Sequence, residues 1–153
     1  MVFWLGNGEE EIKMKFSHKL SDAIHILAYL AIFQSGDRSS KAIAASIEAN
    51  PSVVRLLMAD LKRAGLIESH PGAADPVLTK APATIDLLTV FRAVSMNHTL
   101  LHIDPKTNPA CLVGANIQGT LDELYGRVQA AAEAELAHLT LQDVIDGIHQ
   151  RAK

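Results

Sequence analysis

Four polar side chains between residues 52 and 63 can bind phosphate groups and base edges. Ser52 carries a hydroxyl, Arg55 and Arg63 carry guanidinium groups, and Lys62 carries an ammonium group. Guanidinium and hydroxyl groups can hydrogen-bond either base edges or phosphates, whereas lysine mainly holds phosphate. A helix would place these residues, with Ala59, on one outward face. Because many surface helices carry such a solvated face, the spacing alone leaves both interpretations open.

The residues around this stretch predict the helix that would carry it. Asn50 is a good N-cap because its side-chain oxygen can accept an otherwise unpaired N–H, and Pro51 suits the first helical position. Gly65 is expected to end the helix at Ala64. The stripe predicted to face inward is Val54, Leu57, Met58 and Leu61.

Two helices are predicted before it and a hairpin after it. Apolar residues recur at three- and four-residue spacing over residues 17–34, and Ser39 or Ser40 can cap a short helix through Ile47. Residues 66–69 and 77–79 predict two short strands around a turn at 70–76. This order is that of a winged helix-turn-helix, whose third helix is narrow enough to enter a major groove.

The C-terminal half predicts three further helices. Thr84 is expected to cap a fourth helix through Met96, and 97–110 is expected to be a loop. Asn108-Pro109 repeats the start seen at Asn50-Pro51 and predicts a long helix to about residue 137. Its apolar stripe must be buried against the same helix of a second chain, or else against the winged helix; the residues are Val113, Ile117, Leu121, Leu124 and Val128. Thr140 is expected to cap a last helix to about Arg151.

The charge distribution is uneven along the 153 residues. The whole chain has a net charge of −3, but residues 14–82 carry eight Lys or Arg against six Asp or Glu. Residues 83–153 carry five against eight. The charge pattern is compatible with an extension at 1–13, a DNA-binding domain at 14–82, and linker and dimerisation helices at 83–153.

The single cysteine limits the redox and metal chemistry of the chain. Cys111 cannot form an internal disulfide, but at a helix N-terminus it would be a reactive thiol and a candidate redox sensor. The alternative is a buried structural cysteine. His98, His102, Asp104 and Cys111 share one loop, yet their spacing matches no standard zinc pattern, so no metal or cofactor is expected. There is also no enzyme motif, no membrane span and no export signal, so a cytoplasmic protein is expected.

Several segments together resemble the Rrf-type winged-helix transcriptional regulators. They are Met14–Ser17, Ala23–Leu27, Ser40–Ala44, Asn50–Arg55, Leu61–Ile67, Thr84–Leu88 and Val90–Val94, while Asn108–Gly114 resembles the YwnA-like branch of that family. The resemblance covers about residues 14–145. It implies a mainly α fold with a small β-hairpin, a long dimerisation helix, and a homodimer that binds double-stranded DNA.

The chain departs from that family pattern at two places. Many members have a glycine-rich wing with an arginine, whereas this wing is Gly72–Pro76, which leaves His70 and Lys80 as the nearby cations. Cluster-binding members have three cysteines after the fourth helix, whereas this chain has only Cys111. An iron–sulfur cluster is therefore not supported.

The resulting prediction is a dimeric DNA-binding regulator, a repressor, responsive to redox state or to a ligand. The alternative is a winged-helix interaction module that does not bind DNA. The predicted DNA-binding residues are Ser39, Ser40, Lys41, Ser52, Val53, Arg55, Lys62, Arg63, His70 and Lys80.

Overall fold

The computed structural model describes residues 18–70, 75–95 and 97–153. The helices are α1 (Lys19–Ile32), α2 (Ser40–Ile47), α3 (Pro51–Arg63), α4 (Leu87–Val94), α5 (Leu112–His138) and α6 (Leu141–Arg151). The strands are β1 (Ile67–Glu68) and β2 (Val77–Leu78), and a 3-10 turn, Pro82–Thr84, precedes α4. This mainly helical architecture with one small hairpin confirms the predicted fold class. The predictions that fall outside the described residues are the extension 1–13, the helix start at Ser17, the wing turn 71–74 and the helix end at Met96.

The caps of α2 and α3 lie where their side-chain chemistry predicts them. Ser39 caps α2 by accepting a hydrogen bond from the backbone N–H of Ala42 at 3.2 Å. Asn50 caps α3 by accepting from the N–H of Ser52 at 2.9 Å. Gly65 follows α3 with a φ of 74°, a left-handed conformation that glycine adopts without a steric penalty. The chain therefore reverses at this point and enters β1.

The hairpin pairs over fewer residues than predicted. The strands are antiparallel, with Ile67 opposite Leu78 and Glu68 opposite Val77. Thr79 extends the contact beyond the strands, because its N–H donates to the carbonyl of Leu66 at 3.1 Å and its hydroxyl donates to the carbonyl of Gly65 at 2.5 Å. The base of the hairpin is thus tied to the end of α3.

The prediction that Thr84 caps the fourth helix is wrong. Asp86 is the N-cap of α4, and its carboxylate accepts a hydrogen bond from the N–H of Thr89 at 2.8 Å. Thr84 ends the 3-10 turn, where its hydroxyl donates to the carbonyl of Ala81 at 2.7 Å. Ile85 stays outside the helix because its carbonyl accepts an N–H from the first residue of α6 at 2.9 Å.

The predicted start of the long helix at Asn108-Pro109 is also wrong. The helix α5 begins at Leu112, with Cys111 at the N-cap position. The side chain of Asn108 instead accepts the N–H of Ala110 at 2.9 Å and closes a separate turn. A Cβ atom at Gly114 would overlap the carbonyl oxygen of Asn108. Glycine at this position therefore lets the turn pack against the first turn of α5 instead of continuing into it.

The last helix returns the chain to the core. Thr140 and Asp143 form a capping box, as the predicted cap at Thr140 requires, with hydrogen bonds of 3.2 and 2.8 Å. Leu141 and Ile145 then pack with buried side chains of α1, α2, α3 and α4. The fully buried residues of this core include Ile26, Leu27, Ile43, Val54, Leu61, Leu66, Ile85, Val90 and Leu141.

Candidate nucleic-acid interface

The predicted outward face of α3 is exposed along its whole length. Ser52, Arg55, Ala59, Lys62 and Arg63 are all exposed, and the opposite face is buried through Val54, Leu57 and Leu61. The hydroxyl of Ser52 donates to the capping oxygen of Asn50 at 2.8 Å, so its own oxygen stays available as an acceptor. The helix thus presents a polar face that the core holds in a fixed orientation.

The three basic residues of this face have different partners. Arg55 makes no hydrogen bond or ion pair with any described residue. Lys62 donates to the hydroxyl of Ser69, beside β1, at 2.9 Å. Arg63 pairs with Asp60 at 2.9 Å on the same helix. Arg55 is therefore the guanidinium with most freedom to take a new acceptor.

The start of α2 adds polar groups at the N-terminal side of the helix pair. Ser39 and Ser40 are half-buried, and Lys41 is exposed. Hydrogen bonds from Ser39 lower the pKa of Asp37, and the charge of Lys41 adds a smaller effect in the same direction. Lys41 therefore lies near a carboxylate that stays ionised at neutral pH.

The two cations predicted at the wing do not lie at one site. His70 lies 3.8 Å from the carboxylate of Glu68, which follows Ile67 in β1. Lys80 lines a different cavity of about 470 Å³, between α1, β2 and the 3-10 turn. Arg55 and Lys62 instead line a groove between α3 and β1. The structure thus brings Ser40, Arg55 and Lys62 together and leaves Lys80 apart.

Arg38 also reaches this surface, although no sequence pattern points to it. It lies in the turn before α2, and its guanidinium Nη2 is 3.5 Å from a carboxylate oxygen of Asp75, just before β2. Its side chain is only 13% exposed. A contact between residues 37 positions apart leaves no periodic signal in the sequence. The role of Arg38 therefore cannot be predicted from helical or strand spacing.

The long helix α5 differs from the other helices in its burial. None of its 27 residues, all of which lie in the described ranges, is buried. Among the apolar side chains predicted to form a stripe, Val113, Leu124 and Val128 are 64%, 46% and 50% exposed. Ile117 and Leu121 are half-buried.

No helix in the described ranges is both long enough and apolar enough to cross a membrane.

Polar contacts anchor α5 to the segment that follows α4. The amide of Gln129 donates to the carbonyl of His98 at 2.6 Å and accepts the N–H of Leu100 at 3.0 Å. Glu133 pairs with Arg92 of α4 at 3.2 Å. The hydrogen bond from Gln129 and then the guanidinium of Arg92 lower the pKa of Glu133. The direction of α5 is therefore set by its own chain, although Val113, Leu124 and Val128 of its apolar stripe stay exposed.

Cys111 is exposed, so the interpretation of a buried structural cysteine is wrong for the single chain. Its thiol lies at the N-cap of α5, next to the unpaired backbone N–H groups of the first helical turn. The N–H groups of Gly114 and then Val113 lower the pKa of this thiol. A lower pKa favours the thiolate form of this exposed side chain.

The comparison with known proteins gives a consistent result over most of the chain. Residues 16–147 match the sequence model of the Rrf2 family, described as an iron-dependent transcriptional regulator. The chain is 41% identical over 128 residues to the Bacillus subtilis (strain 168) protein named HTH-type transcriptional regulator YwnA, over 84% of this chain and 95% of the relative.

Solved structures share the same fold. One, described as a DNA-binding protein, is 41% identical and aligns with a TM-score of 0.67 over 83% of this chain and 98% of its own. CymR, described as the global cysteine regulator of B. subtilis, is 24% identical and aligns with a TM-score of 0.63 over 87% and 97%. At that identity, CymR shows likeness of fold alone.

The donor groups of this chain do not fit the iron named in that family description. The sequence has one cysteine, Cys111. Within residues 18–70, 75–95 and 97–153, no group of three or more His, Cys, Asp or Glu side chains is placed to hold a metal ion. The loop with His98, His102 and Asp104 lies within these residues and holds no such group.

Proposed function

Because this chain belongs to the Rrf2 family of transcriptional regulators, we propose that it binds DNA as a homodimer and represses transcription. Membership confirms the predicted family. Together with the DNA-binding protein of the same fold at 41% identity, it makes this chain a DNA-binding regulator. The alternative, an interaction module that does not bind DNA, has no support in the fold or in the relatives.

The exposed polar face of α3 is the observation that carries the proposed mode of binding. In the major groove, Ser52 and Arg55 contact base edges, and Arg55 is suited to a bidentate contact with guanine. Val53 is 43% exposed and can contact a thymine methyl group. Lys62 and Arg63, near the other end of α3, hold phosphates and set the register.

The remaining predicted contacts lie around this helix. Ser39, Ser40 and Lys41 at the start of α2 supply hydroxyl, N–H and ammonium groups to a phosphate. His70 lies beside the carboxylate of Glu68 at 3.8 Å, at the end of the hairpin strand that faces the same groove. Lys80 lines a cavity that Arg38 also lines, separate from Arg55 and Lys62, and acts on another part of the DNA backbone.

The partly exposed apolar stripe of α5 supports assembly into a homodimer. Val113, Ile117, Leu121, Leu124 and Val128 form this stripe, and each fully covered aliphatic side chain would contribute about 1.5–3 kcal/mol. A second copy of the same helix covers the stripe through an isologous contact. The dimer places two α3 helices in successive major grooves, about 34 Å apart, on a pseudo-palindromic operator.

Cys111 is proposed as the signal input of the regulator. Oxidation or alkylation of its thiol adds bulk or charge at the start of α5. That change alters the spacing of the two recognition helices, so that it no longer matches the helical repeat of the DNA. A difference of about 1.4 kcal/mol between the two arrangements changes occupancy tenfold.

Fluorescence anisotropy with labelled DNA tests this function. Genomic fragments enriched by binding and random DNA of equal length are titrated with the full chain over a series of salt concentrations. We expect tighter binding to the enriched fragments and a steep fall of affinity with salt, because each neutralised phosphate contributes about 0.9 to the logarithmic slope. Equal binding to both DNA sets, or no binding, would contradict the proposal.

A further inference from the structure

The groove between α3 and the hairpin has an excess of positive charge. It has a volume of about 380 Å³ and is lined by the cations Arg38, Arg55 and Lys62, the hydroxyls of Ser40 and Ser69, and the carboxylate of Glu68. These groups come from three regions: the turn before α2 with the first residue of α2, the helix α3, and the end of β1 with the residue after it. A phosphate group placed here would meet cations from two of these three regions.

Arg38 is poorly satisfied in its present position. A guanidinium has five N–H donors, and the one hydrogen bond that Arg38 makes with a described residue is the 3.5 Å approach of Nη2 to Asp75. Its Nε is buried and has no hydrogen-bond partner within the described part of the chain. A buried donor without an acceptor is unfavourable. Arg38 therefore gives up only one long hydrogen bond when its guanidinium turns to a better acceptor.

Asp75 holds Arg38 weakly and also opposes a phosphate. Its side chain is 46% exposed, and at 3.5 Å the pair lies at the long end of hydrogen-bond geometry. Asp75 directly precedes Pro76, which lines the same groove. Its carboxylate thus lies beside the positive surface where a DNA strand would pass.

We propose that Arg38 is a phosphate-binding residue of the DNA interface, paired with Asp75 in the free protein and transferred to a DNA phosphate in the complex. This inference rests on the proposed function. A DNA phosphodiester carries one negative charge, as the carboxylate does, but it offers the guanidinium two oxygens for bidentate hydrogen bonding, whereas Arg38 approaches only one oxygen of Asp75, at 3.5 Å. Lys62, held on the same groove by Ser69 at 2.9 Å, supplies the second cation for that phosphate.

The transfer predicts opposite effects for the two partners of the pair. Arg38→Ala removes a phosphate contact and should weaken DNA binding roughly tenfold. Asp75→Asn removes the competing carboxylate and should strengthen binding roughly two- to fivefold. A purely structural pair predicts weaker binding for both variants, because each breaks the same contact.

A double-mutant cycle measures the transfer directly. The four proteins are the parent, Arg38→Ala, Asp75→Asn and the double variant, each titrated with enriched genomic DNA by anisotropy. The cycle reports how much the Arg38–Asp75 interaction changes between free and bound protein. We expect Asp75→Asn to strengthen binding more in the parent background than in the Arg38→Ala background.

The salt series adds an independent readout. Arg38→Ala should lower the logarithmic salt slope by about 0.9, the value for one phosphate. Arg127→Ala, which removes one exposed cation from α5, is the matched control and should leave the slope unchanged. Thermal unfolding of each variant checks that the fold is retained.

The outcomes separate this inference from the function on which it rests. If the parent does not bind DNA, both are wrong. If the parent binds but the cycle is additive, or Arg38→Ala behaves as Arg127→Ala does, Arg38 is not a phosphate ligand and the regulator stands. If Arg38→Ala does not fold, Asp75→Asn decides alone, and unchanged or weaker binding overturns the inference.

Discussion

The unit formed by α1–α3 and the hairpin buries its apolar residues in a core that it shares with α4 and α6, whereas the apolar residues of α5 stay largely exposed. In the first region, Val54 and Leu61 are completely buried, and side chains cap the N-termini of α2 and α3. In the second region, none of the 27 residues of α5 is buried. The contrast is the basis for our proposals that α3 carries a surface for DNA and that α5 carries a surface for a second copy of the chain.

The largest expected effect comes from placing a charge on the α5 stripe. Leu124→Glu should convert the dimer into a monomer, because burying an unpaired carboxylate is costly. DNA affinity should then fall about 100-fold or more, since two linked half-sites bind far better than one. Light scattering and anisotropy measure the two effects. Ala130→Glu, on the opposite face of α5, is the control and should keep both properties; a monomeric parent would refute the dimer.

Urea unfolding at two protein concentrations sharpens the comparison of the two regions. Leu61→Ala should lower the free energy of unfolding by about 2–5 kcal/mol at both concentrations, because it opens a cavity in the core of each chain. Leu124→Ala should lower the apparent stability in a concentration-dependent way, because association contributes to it. The same dependence for both variants would show that α5 is no interface.

Arg55→Ala tests base recognition within the first region. It should weaken operator binding by roughly 1–3 kcal/mol and relax specificity at one base position. Competition with single-base operator variants measures that relaxation. Uniform weakening at every position would make Arg55 a phosphate contact only.

Lys62→Ala tests the complementary role on the same helix. It should weaken binding to all sequences alike and lower the logarithmic salt slope by about 0.9. Ser69→Ala is the matched control, because it removes the 2.9 Å hydrogen bond of Lys62 and keeps the charge. An altered base preference for Lys62→Ala would contradict a phosphate role.

The smallest effect concerns Cys111 at the start of α5. Since nearby N–H groups lower the pKa of its thiol, its alkylation rate should reach half-maximum below the ordinary thiol pKa of about 8.5. Peroxide should then change DNA binding of the parent and not of Cys111→Ser. If the half-maximum lies at the ordinary value, or peroxide has no effect on binding, Cys111 is not the input.

Features fixed by local chemistry could be predicted from the sequence, and features fixed by distant contacts could not. Asn50-Pro51 starts a helix as predicted, yet the same dipeptide at Asn108-Pro109 closes a turn, because the chain there packs against Gly114. Asp86 replaces Thr84 as a cap because the carbonyl of Ile85 already pairs with the start of α6. These outcomes depend on neighbours that periodicity does not contain.

The candidate site also contains residues that helical spacing predicts and residues that only distant contacts bring together. The outward face of α3 follows from helical spacing, and its exposed residues agree with the predicted set. The role proposed for Arg38 depends on its pairing with Asp75, a residue just before β2 that the fold brings close to the turn before α2. The separation of Lys80 from Lys62 likewise follows from where β2 lies, and no spacing rule reports that position.

Hydroxyl-radical footprinting of the full chain on an enriched genomic fragment tests most directly that two α3 helices bind DNA as a pair. We expect two protected segments on one face of the duplex, with centres about one turn, or 34 Å, apart. We also expect both segments to lose protection together in Leu124→Glu. A single protected segment at saturating protein, unchanged in Leu124→Glu, would contradict binding as a pair.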